Sequence, residues 1–418
     1  MIILFIGFIL LASLLAIFKP TYFVIFYILS ATKFLGFFDI GVFVFGGTDL
    51  GFPILNLIAL VSIIFKSQWY IVEKYDFKLI TLFSIFLLYG IIYPLFMEFE
   101  TTKEAIVASK DYWSIFFLIY LLVNKEIINT TVILNILKYL GLYLSFIYII
   151  YLIVNIGPPT YVQETHIRTF FPTFISLSIF LFYKEHIEKE ILKKKFIVYF
   201  SILFIGLILA GHFALTLSTL IMISFLNLFY LGKNISFSKF IIRGSSLFAI
   251  MFIILTFNSN LRTNIQNSIE LVTSGKDVAL SSRDIYNEFR WNAINDNPYF
   301  GYGFLHKDSQ TTKSYRIIEN NRFTEKFSVI DSGYVDLLIK FGIIGTIIYL
   351  ILWLRIIIPI LFRPREYNFL QLSLAAYIAQ YFLVSLTWSV FTFIHGLIPA
   401  FIAILLITKK NNKDSNEK

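Results

Sequence analysis

Apolar residues run along this chain in long unbroken stretches, at about 2–18, 21–40, 51–65, 77–97, 110–123, 136–156, 170–183, 196–212, 214–230, 240–257, 334–358, 369–388 and 394–408. Ile, Leu and Phe follow one another without the alternation that a barrel wall requires. In lipid the backbone must satisfy its own hydrogen bonds, so these runs predict an all-α polytopic membrane protein with about 12–13 spanning helices. The stretch from Met1 to Phe18 has no basic residue ahead of it and no small-residue cleavage site, and it reads as a retained first span. One segment breaks the pattern: residues 258–333 are polar and too long for a simple connection. The expected organisation is therefore spanning helices over 1–257, a large extracytoplasmic loop over 258–333 with a helix at 283–295, spanning helices over 334–408 and a cytoplasmic tail at 409–418.

Composition narrows the class. With 58% hydrophobic and 15% charged residues in 418, a soluble enzyme is excluded. The net charge of +9 suggests an acidic partner until the charges are placed. If Lys184 to Lys195 is cytoplasmic, alternate loops on that side collect 21 of the 35 basic residues, whereas the short loops opposite carry only Lys103, Lys110 and Arg168. Such asymmetry records topology and puts the C-terminus in the cytoplasm. The long loop is balanced, with nine basic and nine acidic residues, and a long ordered loop on a rigid scaffold is where function usually sits. The chain has no cysteine, so disulfides, thiolate metal sites and thiol nucleophiles are excluded.

Within the loop, Ser281-Ser282-Arg283-Asp284 reads as a helix start and Asn295-Asp296-Asn297-Pro298 as its end. Gly301-Tyr302-Gly303 adds a turn. Arg283 and Arg290 are seven apart on nearly one face, their Cα atoms about 10 Å apart. They either converge on one diphosphate, as Arg suits bidentate phosphate contact, or bridge to Asp284 and Glu288. Trp291 shares a face with Asp284, Asn287 and Ile294 and is expected to anchor the helix on the membrane domain. Asp331, before Ser332-Gly333-Tyr334, lies at the outer mouth of a helix. It suits a general base or a hydroxyl-orienting carboxylate, or else an N-cap. Asp336 and Lys340 are spaced to pair with each other.

These residues resemble a known family. Ser282-Arg283, Trp291-Asn292-Ala293-Ile294, Asn297-Pro298, Phe300-Gly301-Tyr302-Gly303, Asp331-Ser332-Gly333-Tyr334 and Phe341-Gly342-Ile343-Ile344-Gly345 are similar to the hallmark of the O-antigen polymerase and ligase superfamily. The motif covers roughly residues 281–345. The resemblance implies a GT-C-like, inverting, metal-independent glycosyltransferase that uses undecaprenyl-diphosphate-linked oligosaccharide on the outer face of the bacterial cytoplasmic (inner) membrane. Where the ligase branch commonly carries His-Asn, this chain has Asp331-Ser332, which resembles the polymerase (Wzy-type) branch. The family's middle-span Ser-Arg pair is replaced by Gly211-His212-Phe213.

The chemistry so implied needs cationic help for the leaving diphosphate and a base for the attacking hydroxyl. Arg283 and Arg290 are the candidate diphosphate contacts. Asp331 is the candidate catalytic carboxylate, joined by Arg168 and His166 in the short outer loop from Gly157 to Thr169. No cofactor and no metal is expected. The expected partners are the lipid-linked oligosaccharide, membrane lipid and a chain-length regulator protein, with no nucleic acid. His212 and His395 lie near outer ends of spans, where a lone His either faces a cavity or is satisfied by backbone or water. The competing readings are a ligase, a flippase or ion-coupled transporter, for which Lys33 is the one clear intramembrane charge, and a scaffold without catalysis.

Overall fold

The computed structural model of this protein describes residues 2–32, 44–45, 48–49, 51–66, 72–154, 161–163, 166–168, 171–230, 290–306, 309–315, 317–319, 322–324, 332–364 and 366–409. The expected span at 240–257, Lys33 and the helix start at Ser281 lie outside these residues.

Helices carry nearly all of the described chain, as the unbroken apolar runs predict. In order they are α1 (Ile2–Phe18), α2 (Pro20–Ala31), α3 (Gly51–Lys66), α4 (Lys74–Phe96), α5 (Thr102–Ala108), α6 (Ser114–Val123), α7 (Thr130–Val154), α8 (Pro172–Ile187), α9 (Lys193–Leu209) and α10 (Phe213–Tyr230). Then come α11 (290–296), α12 (Gln310–Ser314), α13 (Gly333–Phe362), α14 (Phe369–Val384) and α15 (Ile394–Thr408). Local chemistry sets several starts. Proline occupies the first turn of α2 and α8, where its missing N–H costs nothing. Reciprocal capping boxes, Thr101 with Glu104 and Asn368 with Gln371, open α5 and α14. Three antiparallel hairpins, Val44–Phe45 with Thr48–Asp49, Tyr161–Gln163 with His166–Arg168 and Ile317–Glu319 with Arg322–Thr324, punctuate the connections; the apolar pattern gave no sign of them.

Among the described residues, α4, α7 and α13 are long and apolar enough to cross a membrane. The expected span at 110–123 is instead one limb of a bent pair: α5 and the segment Lys110–Val123 meet at 60°, as a broken span or re-entrant loop. Several other apolar helices, including α14 and α15, are shorter than a full crossing; between those two the chain leaves the helix in turns over 385–393. Irregular backbone is tolerated at membrane depth where it is buried in protein or lines a water-filled cavity.

The bundle has two chemically distinct ends. At the basic end, Lys125 pairs with Asp76 and Glu73, Lys138 with Glu185, and Lys184 with Glu188 and Glu190. The opposite end receives the segment around 290–315 and is called here the loop end. Between them, the fully buried Trp353 packs edge-on against Phe83 at 5.4 Å and Tyr349 at 6.3 Å. Helices in lipid gain little from apolar contact with one another, so small residues and hydrogen bonds hold them together. Gly141 of α7 lets Ser178 of α8 approach to where an added Cβ would stand 2.0 Å from its Oγ. Ser176, Thr219 and Gln380, all buried, join α8, α10 and α14 through bonds of 2.8 to 3.1 Å.

Candidate functional site

The loop end is organised by a break in α13. Gly342 has φ 62° and ψ −174°, a conformation outside the helix, and divides Gly333–Phe362 into two limbs. A break strands the carbonyls before it and the N–H groups after it, and in an apolar environment each stranded group is costly. The chain from Pro298 to Gly303 enters the gap and satisfies them. Tyr302 and Gly303 donate their N–H groups to Ile339 and Lys340 carbonyls at 2.7 and 2.8 Å, while Ile343 and Ile344 donate to Pro298 and Tyr299 carbonyls at 2.8 and 3.3 Å.

This explains the glycines of the motif. A Cβ on Gly342 would lie 2.3 Å from the Tyr299 carbonyl, and one on Gly301 would lie 2.5 Å from the Gly342 nitrogen. Gly303, at φ 74°, would strike Pro94 and the Gly90 carbonyl of α4. The turn is thus pressed between two spanning helices. Phe304 donates its N–H to Gly90 at 2.9 Å, and Tyr89 of α4 donates its hydroxyl to the Phe300 carbonyl. Asn297 donates its side-chain amide to the Gly301 carbonyl, closing the turn from within.

A small second core forms here from Ala293, Ile294, Tyr302 and Ile339, bordered by Phe99, Leu305, Tyr315, Val335 and Leu338. Tyr302 donates its hydroxyl to the Ala293 carbonyl at 3.0 Å. This core fixes α11 against the first limb of α13. Arg290, at the start of the described part of α11, is 4% exposed and so belongs to the docked face with Ala293 and Ile294. Trp291, expected to be the anchor, is 48% exposed. The helical phase of Ala293 and Ile294 puts the small apolar pair inward and turns the indole out.

A polar cluster lies just before the break. The carboxylate of Asp336, 2% exposed, accepts from Lys340 Nζ at 2.8 Å, as the i,i+4 spacing predicts, and from the hydroxyl of the buried Thr392. The segment 385–393 that carries Thr392 also caps α13. Ser385 accepts the N–H groups of Gly333 and Tyr334 at 2.8 and 3.3 Å. The N-cap position itself is Ser332, without a side-chain cap bond. Of the remaining outer groups, His212 stacks on Trp388 with ring centroids 4.5 Å apart, and His395 stands edge-on to Phe171 at 4.4 Å.

Sequence reasoning passed over Glu100, in the corner between α4 and α5. It is 8% exposed and accepts the backbone N–H of His306. Burial pushes its carboxyl up to about 7, against the lowering effect of that bond. Thr311 donates to the neighbouring Phe99 carbonyl at 2.9 Å. The corner therefore holds the chain that follows the glycine turn. No spacing signal marked Glu100, which shares the end of its apolar run with Glu98, Lys103 and Glu104.

The other expected site residues fare unequally. Arg283 and Asp331 lie outside the described residues. His166 and Arg168 fall in the second strand of the hairpin, opposite Gln163 and Tyr161, a few residues before α8 begins at the loop end. Among the described residues no group of His, Asp and Glu is arranged to hold a metal ion.

No curated protein and no solved structure matches the chain. Residues 198–350, which take in most of α9, all of α10 and α11, the glycine turn and the broken helix as far as residue 350, match the O-antigen ligase family (Wzy_C) and with it the O-antigen polymerase and ligase superfamily that the motifs resemble.

Proposed function

We propose that this protein is a polysaccharide repeat-unit polymerase of the bacterial cytoplasmic membrane. It transfers undecaprenyl-diphosphate-linked glycan onto the non-reducing end of another lipid-linked repeat unit, by inverting, metal-independent chemistry. The match to the O-antigen ligase family supports glycan transfer as the class of reaction. The observation that carries the reading is the threading of Pro298–Gly303 through the break at Gly342. It fixes α11 and Arg290 beside the first turns of α13, directly after Asp331-Ser332. That arrangement supports a cationic group for the departing diphosphate close to a polar helix mouth. Asp331-Ser332, in place of His-Asn, favours polymerase over ligase.

The test is reconstitution. Purified protein supplied with its lipid-linked repeat unit is expected to give a ladder of lengthened lipid-linked glycans, and a preparation that gives none ends the proposal. Arg283→Lys is expected to lower the rate by at least about 10-fold, because a point charge does not replace a bidentate donor. A scaffold would be indifferent to it. The description of the matched family keeps a ligase as the second reading. Deletion separates the two: without a polymerase, single repeats reach the final acceptor, whereas without a ligase, long chains stay on the carrier lipid.

A further inference from the structure

The loop end gathers an imidazole that the proposed chemistry has not yet used. Between Phe196 and Tyr230 the sequence contains no Asp, Glu, Lys or Arg and one His, His212. It sits in the tight corner between α9 and α10, next to Gly211 at φ 72°, and is partly exposed. Its ring lies on Trp388 at 4.5 Å with planes 24° apart. The Trp388 carbonyl in turn reaches within 2.8 Å of where a Cβ on Gly333 would stand. Trp388 thus touches His212 with its side chain and packs its backbone against Gly333, the residue that follows Ser332 at the mouth of α13. The corner and the mouth belong to opposite ends of the family-matched segment, and the fold closes that distance.

The segment 385–393 and helix α14 contain no charged residue. The charged groups of the first limb of α13, Asp336 and Lys340, are paired with each other. His395, also at this end, is turned against Phe171, the residue before α8.

We infer that His212, braced on Trp388, accepts the proton of the attacking hydroxyl at the mouth of α13. The inference rests on the glycan-transfer reading above. In the step, the acceptor oxygen forms its bond to the anomeric carbon as the bond from that carbon to the diphosphate oxygen breaks. The diphosphate leaves with the electron pair. The hydroxyl proton passes to the imidazole and from there to water. An imidazole is suited to this exchange because its ordinary range straddles neutral pH.

The experiment measures initial rates of transfer from lipid-linked repeat by the full-length protein between about pH 5 and 8. Wild type is expected to show an acid limb, where His212 is protonated and cannot accept. His212→Gln is expected to lower kcat by about 100-fold or more, to abolish that limb and to leave KM unchanged. His212→Ala is expected to regain part of its rate with added imidazole, which a folding defect would not allow. His395→Gln is expected to keep the wild-type profile. A His212→Gln protein with wild-type rate and profile overturns the role of His212 while the transfer reading stands. Loss of the limb in His395→Gln instead overturns it equally. A wild type that makes no transfer product overturns the reading and this inference together.

Discussion

Burying Asp336 beside Lys340 costs both side chains much of their hydration, and their contact with each other and with Thr392 offsets that cost. Removing one partner leaves the other stranded. Asp336→Asn should therefore destabilise the protein by about 3 kcal/mol, whereas Asp336→Asn combined with Lys340→Met should cost clearly less than the sum of the single changes. Thermal denaturation of the four proteins in one detergent checks the cycle. Glu100 makes a pH-dependent contact by a different route. Its pKa in the folded protein, about 7, lies above the ordinary carboxylate value because it is buried. Between the ordinary value and 7 the folded protein holds a proton that the undocked chain releases, so docking of the 302–312 segment weakens as pH rises through that window. It is strongest where both states are protonated. Glu100→Gln removes the charge at every pH and should protect the amides of that segment from hydrogen exchange more than wild type at pH 8. The two proteins should be alike near pH 5. Greater protection of wild type at high pH would show that the ionised carboxylate holds the corner.

At the scale of elements, the break in α13 shows what a sequence can and cannot disclose. The spacing of Gly301, Gly303, Gly342 and Gly345 was legible as a turn and as small positions within an apolar run. That the turn fills a gap in the helix was not, because a glycine reports a need for space or for positive φ without naming the backbone that comes close. Periodicity gave most helices nearly to their ends, since an apolar run and the helix it forms stop together where polar residues begin. It failed for the bend between α5 and α6, which depends on packing against Phe304 and Phe341 around Tyr112. It failed also for Trp291: the largest apolar residue on α11 faces outward, and the smaller Ala293 and Ile294 do the docking. The break yields a direct test. Gly342→Ala combines a disallowed backbone conformation with a contact of 2.3 Å to the Tyr299 carbonyl, and should destabilise the protein by at least about 3 kcal/mol. Gly7→Ala, where nothing lies within 4 Å, should be neutral or slightly stabilising, by up to about 1 kcal/mol. If Gly342→Ala melts with wild type, the threaded arrangement is wrong.

For the whole molecule, the distribution of charge and the position of the candidate site give one picture of orientation. Helix α4 carries Asp76, the partner of Lys125, in its first turn and meets the glycine turn at Gly90 and Pro94 in its last turns, so the two ends face opposite sides of the membrane if α4 spans it. On the proposed topology the Lys- and Arg-rich basic end faces the cytoplasm, and the glycine turn and His212 face the outside. The chain contains no cysteine, so single cysteines can report this without background. Tyr299, 62% exposed beside the break, and Leu192, 70% exposed between α8 and α9, lie at the two ends. Applied to intact spheroplasts, a membrane-impermeant maleimide should label Tyr299→Cys and spare Leu192→Cys until the membrane is permeabilised. The reverse pattern would place the candidate site in the cytoplasm, away from an externally presented lipid-linked substrate, and would remove the physical basis for outer-face polymerisation whatever the local geometry at Gly342.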